Sequence, residues 1–569
     1  MSGGLTTDGG GALSFRSTAS MVCRRSVRIL VLLLLFSGLG GCSSTSAQDS
    51  GGPLPPEQAA YDVFHYDLDV AVDPARERIE GTVEVRAVVE EPLEVLVLNL
   101  DRRLSVRRAW EIGERGTRRS VERKEGRNEL WIDLGRSYAA GDTLHARVAY
   151  EGRPRVAPNP PWDGGLTWEE TPAGAPWIAT SCQTEGADLW WPVKDHPSDE
   201  PDSMDLAFTV PDSLVAASNG RLRSVERASD STETYRWHVS TPINTYNVTL
   251  NAAPYVHLDT TYASTSGQDV PVSAYVLPSD SARAARALPG FLDQVRFLEE
   301  TLGPYPPRAD KYGLAQSPFL GMEHQSLIAY GHDFTPGGLG YGASFDALHF
   351  HELAHEWYGN LVTVADWKDF WLHEGTATYL EALYAEARRG HGAYRARIDD
   401  FRQAMTGGTP IARRDPTSAE EIYHGDVYNR GALTLHTLRY VVGEKALRTL
   451  LRRFADPGGR TRDEGPSFRH VTTADFVRLA ESVSGRSLDA FFDVYLYQSD
   501  LPVLETRRAD ETLRLQWANT GDAAFEVPVP VRVRDSTRRV AMTGGEGQVQ
   551  VPAGADVQVD PKGWVLRQE

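Results

Sequence analysis

The sequence predicts a multidomain α+β protein, with strands first, helices in the middle and strands again at the end. Three patterns predict it. Between residues 61 and 258, apolar and polar residues alternate in short runs broken by turn signals, as in 66–72 and 81–88. From 259 to 500 the apolar spacing lengthens to the helical period, starting with 282–301. From 501 to 569 short alternating runs return, as in 513–517 and 527–531. These patterns correspond to an N-terminal antiparallel β-sandwich or saddle, a mainly helical domain and a small C-terminal β-sandwich.

The first 42 residues stand apart. Arg24, Arg25 and Arg28 form a basic run just after Met21, the better start of translation, and an apolar stretch follows at 29–36. That is a secretory signal, too short to span a bilayer. It ends in Leu39-Gly40-Gly41-Cys42, which resembles a bacterial lipoprotein cleavage and lipidation site. The resemblance implies a lipid on Cys42 and a place at the bacterial cell envelope, in the periplasm or outer membrane, with ordinary secretion and cleavage elsewhere as the alternative. Residues 43–60, rich in Ser, Gly and Pro, read as a flexible tether. Cys23 and Cys42 belong to the leader, which leaves Cys182 alone. One thiol makes no intramolecular disulfide, so Cys182 is expected to be buried.

Composition narrows the function. Hydrophobic residues at 41% and charged residues at 24% are ordinary for a globular protein. A net charge of -19 repels phosphates and argues against a nucleic-acid partner.

The chemistry concentrates around His351-Glu352-Leu353-Ala354-His355. Histidines four residues apart on a helix project from one face. Neutral imidazoles so spaced take two corners of a tetrahedral zinc site. Glu352 directly follows the first ligand, where a carboxylate can act as base on a bound water. Glu374, in Trp371-Leu372-His373-Glu374-Gly375, supplies a third ligand from the following helix. Three protein ligands leave the fourth position open, which is the catalytic pattern, so one Zn²⁺ per chain is expected. The bland alternative is a solvated helix face with two histidines. Against it, 348–361 carries Leu348, Leu353, Ala354, Trp357 and Leu361 and reads as a buried helix, with 370–387 as its antiparallel partner. Burying His351, Glu352 and His355 leaves polar groups unpaired unless a metal or a network satisfies them. Glu381, seven residues past Glu374, shares its face and is a candidate to orient a metal-bound histidine. The other histidines, His324 and His349 among them, read as structural or solvated.

Four blocks together resemble zinc metallopeptidases of the aminopeptidase N and leukotriene-hydrolase type, the thermolysin-like gluzincins. They are Gly321-Met322-Glu323-His324, the His351–His355 motif with Trp357-Tyr358-Gly359-Asn360, Trp371-Leu372-His373-Glu374-Gly375, and Tyr428-Asn429-Arg430-Gly431-Ala432. The resemblance covers about residues 60 to 500. It implies a thermolysin-like helical domain, peptide substrates and cleavage of the N-terminal peptide bond. It gives Glu352 the role of general base, passing the proton of water to the leaving amine. It gives Tyr428 the developing oxyanion. Gly321, Met322 and Glu323 become a substrate-binding loop, with Glu323 gripping the free amino group. Ser181-Cys182-Gln183-Thr184-Glu185 brings a second amine-binding side chain, Gln183 by position, with Glu185 as the competitor. The chain departs from the usual pattern at His324 and His373, where asparagine is common, and at Thr376, where an aromatic is. Larger relatives continue into a further helical domain, and without it the site is expected to be more open. Two other readings use the same scaffold: a non-catalytic peptide-binding envelope protein, and an epoxide hydrolase that also cuts peptides.

Overall fold

A computed structural model describes residues 50–112, 118–124, 128–335, 345–458, 465–521 and 524–568. The leader, with Cys42, lies outside the described residues.

The alternating runs become strands because period-two alternation buries one face of a sheet. Tyr61–Asp73 has the burial pattern of such a strand and pairs antiparallel with Arg78–Val89. Together they centre an eight-stranded sheet. Its order is Arg221–Arg227, Thr232–Val239, Ser203–Pro211, Tyr61–Asp73, Arg78–Val89, Thr143–Gly152, Leu104–Glu111 and Arg118–Arg119. The sheet is not wholly antiparallel, because Tyr61–Asp73 runs parallel to Ser203–Pro211. No hairpin links those two strands, so nothing local sets their sense. A four-stranded sheet beside it contains Pro176–Ser181, which leads straight into Gln183.

The helical domain opens on a five-stranded sheet rather than on a helix. Its order is Val256–Ala263, Asp269–Val276, Tyr312–Gln316, Ile328–Tyr330 and Gly321–Met322. Gly321–Met322 is therefore an edge strand, paired on one side only. A helix, Ser281–Leu302, connects the strands Asp269–Val276 and Tyr312–Gln316, and after the sheet come a motif helix, Ala347–Ala354, a partner helix, Trp371–Arg389, and a tyrosine helix, Gly425–Val442. The partner and tyrosine helices touch at two glycines. A Cβ on Gly375 meets Gly431 Cα at 2.7 Å, so only glycine lets the backbones approach this closely. Two three-stranded sheets at the C-terminal end form the small sandwich, one of them Val503–Ala509, Thr512–Ala518 and Glu546–Gln550.

The tether expectation for 43–60 fails from Ser50 onward. Ser50 N donates to Thr184 O at 3.1 Å, and Ser50 O accepts from Ala419 N at 3.0 Å. His196 bonds Gly52 O at 2.9 Å, and Gln58, in the short helix Pro56–Ala59, donates to Asn99 Oδ1 at 2.6 Å. Ser and Gly here serve close packing rather than freedom. Cys182 is a free, buried thiol, as its isolation implied. The described residues fall in one compact unit, and no helix among them is long and apolar enough to cross a membrane.

Candidate metal centre and substrate cleft

The motif helix is shorter than its apolar pattern implied. It ends at Ala354, with His355 at the C-cap still in the helical region (φ −65°, ψ −19°). Gly359 then takes φ +151° and turns the chain away. His351 and His355 remain one turn apart, so their Nε2 atoms stand 3.2 Å from each other. Glu374 Oε2, from the first turn of the partner helix, lies 3.2 Å from His351 Nε2 and 3.4 Å from His355 Nε2.

These three atoms fit a zinc ion on two grounds. Ligands about 2.0–2.1 Å from a tetrahedral zinc stand roughly 3.3 Å apart, which is the observed triangle. The tautomers agree as well. His355 Nδ1 faces Tyr358 O at 3.0 Å, and a carbonyl only accepts, so the proton is on Nδ1. His351 Nδ1 faces Glu381 Oε1 at 3.1 Å with the same result. Two imidazole lone pairs and a carboxylate oxygen thus converge on one point, which is repulsive without a cation. Among the described residues, His351, His355 and Glu374 are the one such group. Glu381 is buried and also holds Arg397. Although burial opposes it, Arg397 and His351 keep its carboxyl below the usual range. His349 bonds Tyr312 and Gln294, and His373 Nε2 accepts from Val364 N at 2.9 Å. His324 is fully buried. None of the three joins the triad.

Around the triad lies a cleft of about 450 Å³. Glu352 lines it beside Gly321, where a Cβ would come within 2.5 Å of Glu352 Oε1. Gly321 is therefore what lets the edge strand lie against the carboxylate. Burial pushes the Glu352 carboxyl upward, with Glu323 and Glu374 adding and the two histidines opposing. Tyr428, in the first turn of the tyrosine helix, stacks over His351 with ring centroids 5.8 Å apart. Its hydroxyl bonds that of Tyr423 at 2.9 Å.

Glu323 follows the edge strand and is 3% exposed. Gln183 Nε2 donates to its Oε1 and, at 3.0 Å, to Glu374 Oε1. Tyr246 OH donates to the same Glu323 oxygen at 3.2 Å. Burial raises the Glu323 carboxyl, against the pull of His355. Glu185 is excluded as the amine ligand, because it pairs with Arg155 at 2.5 Å and accepts from Gly164 N, away from the cleft. Tyr246, Tyr423 and Arg397 carry no motif, and only the tertiary fold shows that they belong here.

Fold and triad define a mononuclear zinc centre with the N-terminal β domain in its cleft wall. The Peptidase family M1 domain model matches residues 296–495, and the Peptidase M1 N-terminal domain model matches 63–247. The chain belongs to peptidase family M1, and its cofactor is a single zinc ion. Glutamyl aminopeptidase of Rattus norvegicus is 23% identical over 77% of this chain and 47% of its own length. Endoplasmic reticulum aminopeptidase 1 of Homo sapiens is 23% identical over 83% of this chain and 53% of its own. The chain spans about half the length, or less, of the curated relatives it matches. The M1 zinc metallopeptidase from Deinococcus radiodurans superposes with a TM-score of 0.65 at 27% identity, over 78% of this chain and 95% of that one. A mutant two-domain M1 zinc metallopeptidase bound to L-tryptophan gives 0.66 at 26%, over 80% and 99%.

Proposed function

We propose that this chain is a zinc-dependent aminopeptidase that hydrolyses the first peptide bond of peptides with a free amino terminus. The observation that carries this reading is Glu323. It is a buried carboxylate in the cleft wall beside the zinc triad, with no lysine or arginine pairing it among the described residues. Such a group calls for a cation from outside the chain, and an α-ammonium supplies one. An internal peptide bond offers no such charge. Gln183 and Tyr246 both donate to Oε1 of that carboxylate and so aim it. The edge strand Gly321–Met322 leaves one side of its backbone for an extended peptide.

Zinc, when bound, supplies Lewis acidity to water and to the scissile carbonyl. Glu352 takes the proton of the attacking water and delivers it to the departing amine. Tyr428 donates to the oxyanion as it forms, and Tyr423 fixes the direction of that hydroxyl. Names of the curated relatives, glutamyl and endoplasmic reticulum aminopeptidases, support the reaction class. The retained triad, base and anchor support this reading over a non-catalytic one. Glu352→Gln tests the chemistry: zinc stays at one per chain while kcat/KM falls by ~10³-fold or more. Undiminished turnover by that variant would contradict the mechanism.

Leu39-Gly40-Gly41-Cys42 supports a lipid on Cys42 and a site at the bacterial cell envelope, where peptides from outside are trimmed.

A further inference from the structure

The loop that carries the anchor carboxylate, 323–326, is caught at three backbone groups and one side chain by residues distant in the chain. Glu323 O accepts from Asn360 Nδ2 at 3.2 Å, and Gln325 O from Asn219 Nδ2 at 2.7 Å. Ser326 N donates to Glu356 Oε1 at 2.8 Å, and Ser326 Oγ accepts from Gly220 N at 2.9 Å. Ser326 sits at φ +61°, a conformation that persists only where its surroundings enforce it.

The catches come from two domains. Glu356 and Asn360 follow His355 in the helical domain, whereas Asn219 and Gly220 belong to the N-terminal β domain. Asn247 joins them. Its Nδ2 donates to Asn360 Oδ1 at 2.8 Å, and its main-chain oxygen accepts from Asn219 Nδ2 at 2.9 Å. All four side chains are essentially closed to solvent. The amides have no freedom to reverse. Asn360 Nδ2 faces two acceptors, Glu323 O and, at 3.0 Å, Glu356 Oε2, so its oxygen must face a donor. Asn219 Oδ1 accepts from Thr249 N at 2.8 Å, so its amino group must face Gln325 O. Tyr246, the residue before Asn247, meanwhile reaches the Glu323 carboxylate itself.

We propose that the relay Asn219–Asn247–Asn360–Glu356 is the positioning device for amine recognition, through which the N-terminal domain fixes Glu323 relative to the zinc triad. This rests on Glu323 being the amine anchor. Asn247 and Glu356 act through the loop, as positioning residues. Cleavage one residue from the amino terminus requires a fixed spacing between anchor and metal, and a slip of about 1 Å can cost ~10²-fold.

The test is steady-state kinetics on a free-amine dipeptide amide, with zinc content and Tm measured on every variant. Asn247→Asp keeps the shape but sets an acceptor against Asn360 Oδ1. Glu356→Gln sets an amino group against a donor from the other end. Each is expected to raise KM by ~10-fold or more, with a smaller fall in kcat, while zinc stays at one per chain. In a Glu323→Ala background, Asn247→Asp is expected to add nothing further to KM. Unchanged KM in zinc-loaded variants, a loss confined to kcat, or an equal effect with and without Glu323 would each overturn the proposal. Should Asn247→Asp fail to fold, Glu356→Gln decides alone. If Glu323→Ala by itself leaves KM unaltered, the anchor reading has failed, which is a separate result from failure of the relay.

Discussion

The triad histidines are aimed by what their far nitrogens touch. Glu381 Oε1 lies 3.1 Å from His351 Nδ1 and fixes the lone pair on Nε2. Glu381→Gln keeps the shape but removes the charge that favours this tautomer. Zinc affinity is expected to fall ~10-fold or more, read by competition with a chromophoric chelator, with the fold unchanged. Unaltered affinity would mean that Glu381 serves only Arg397. At this scale the sequence was most legible. Spacing marked His351, Glu352 and His355, because a helix turn translates spacing directly into geometry, and the helical pattern of the following segment offered Glu374. It left Gln183 and Glu185 open, since both sit on one loop and Arg155, which claims Glu185, is distant in the chain. Tyr246 was invisible, because its contact with Glu323 exists only once two domains meet.

Elements position these residues through close backbone contact. Glu374 and Tyr428 ride on helices that touch at Gly375 and Gly431. Gly375→Ala places a methyl against Gly431 Cα, and overpacking of this kind costs roughly 1–3 kcal/mol. A lowered Tm is expected together with a lower kcat, because the shift moves the oxyanion donor relative to a zinc ligand. Full activity at unchanged Tm would show that the crossing has slack. The motif helix taught the limit of periodicity. Trp357 and Leu361 continue the apolar pattern, yet the helix stops at Ala354. Asn360 folds back onto Glu356, at 3.0 Å, and Gly359 takes a φ that helices exclude. The parallel pairing of Tyr61–Asp73 with Ser203–Pro211 escaped the sequence for a related reason, since alternation specifies a buried face but not a neighbour.

At the scale of the molecule, the order strands, helices, strands was legible, but the way the parts lock was not. His436, on the tyrosine helix, bonds Gly563 O at 3.0 Å and accepts from Tyr394 OH at 2.6 Å, tying the turn after the last strand to the helices. Burial pushes its pKa from 6.5 down to about 3. The unfolded chain takes up this proton as pH falls below about 6.5, whereas the folded chain does so only near 3. The stability held by neutral His436 is thus complete above that upper value and lost as pH drops toward the lower one. His436→Gln is expected to shrink the fall in Tm between neutral and mildly acidic pH, and an unchanged fall would contradict it. The central claim is exopeptidase recognition through Glu323. The most direct measurement compares release of the N-terminal residue from matched free-amine and N-acetylated peptides, with and without a zinc chelator. Chelator-sensitive cleavage of the free-amine peptides alone is the predicted result. Equal cleavage of the acetylated peptides would show that no buried anion grips the amine, and would contradict it.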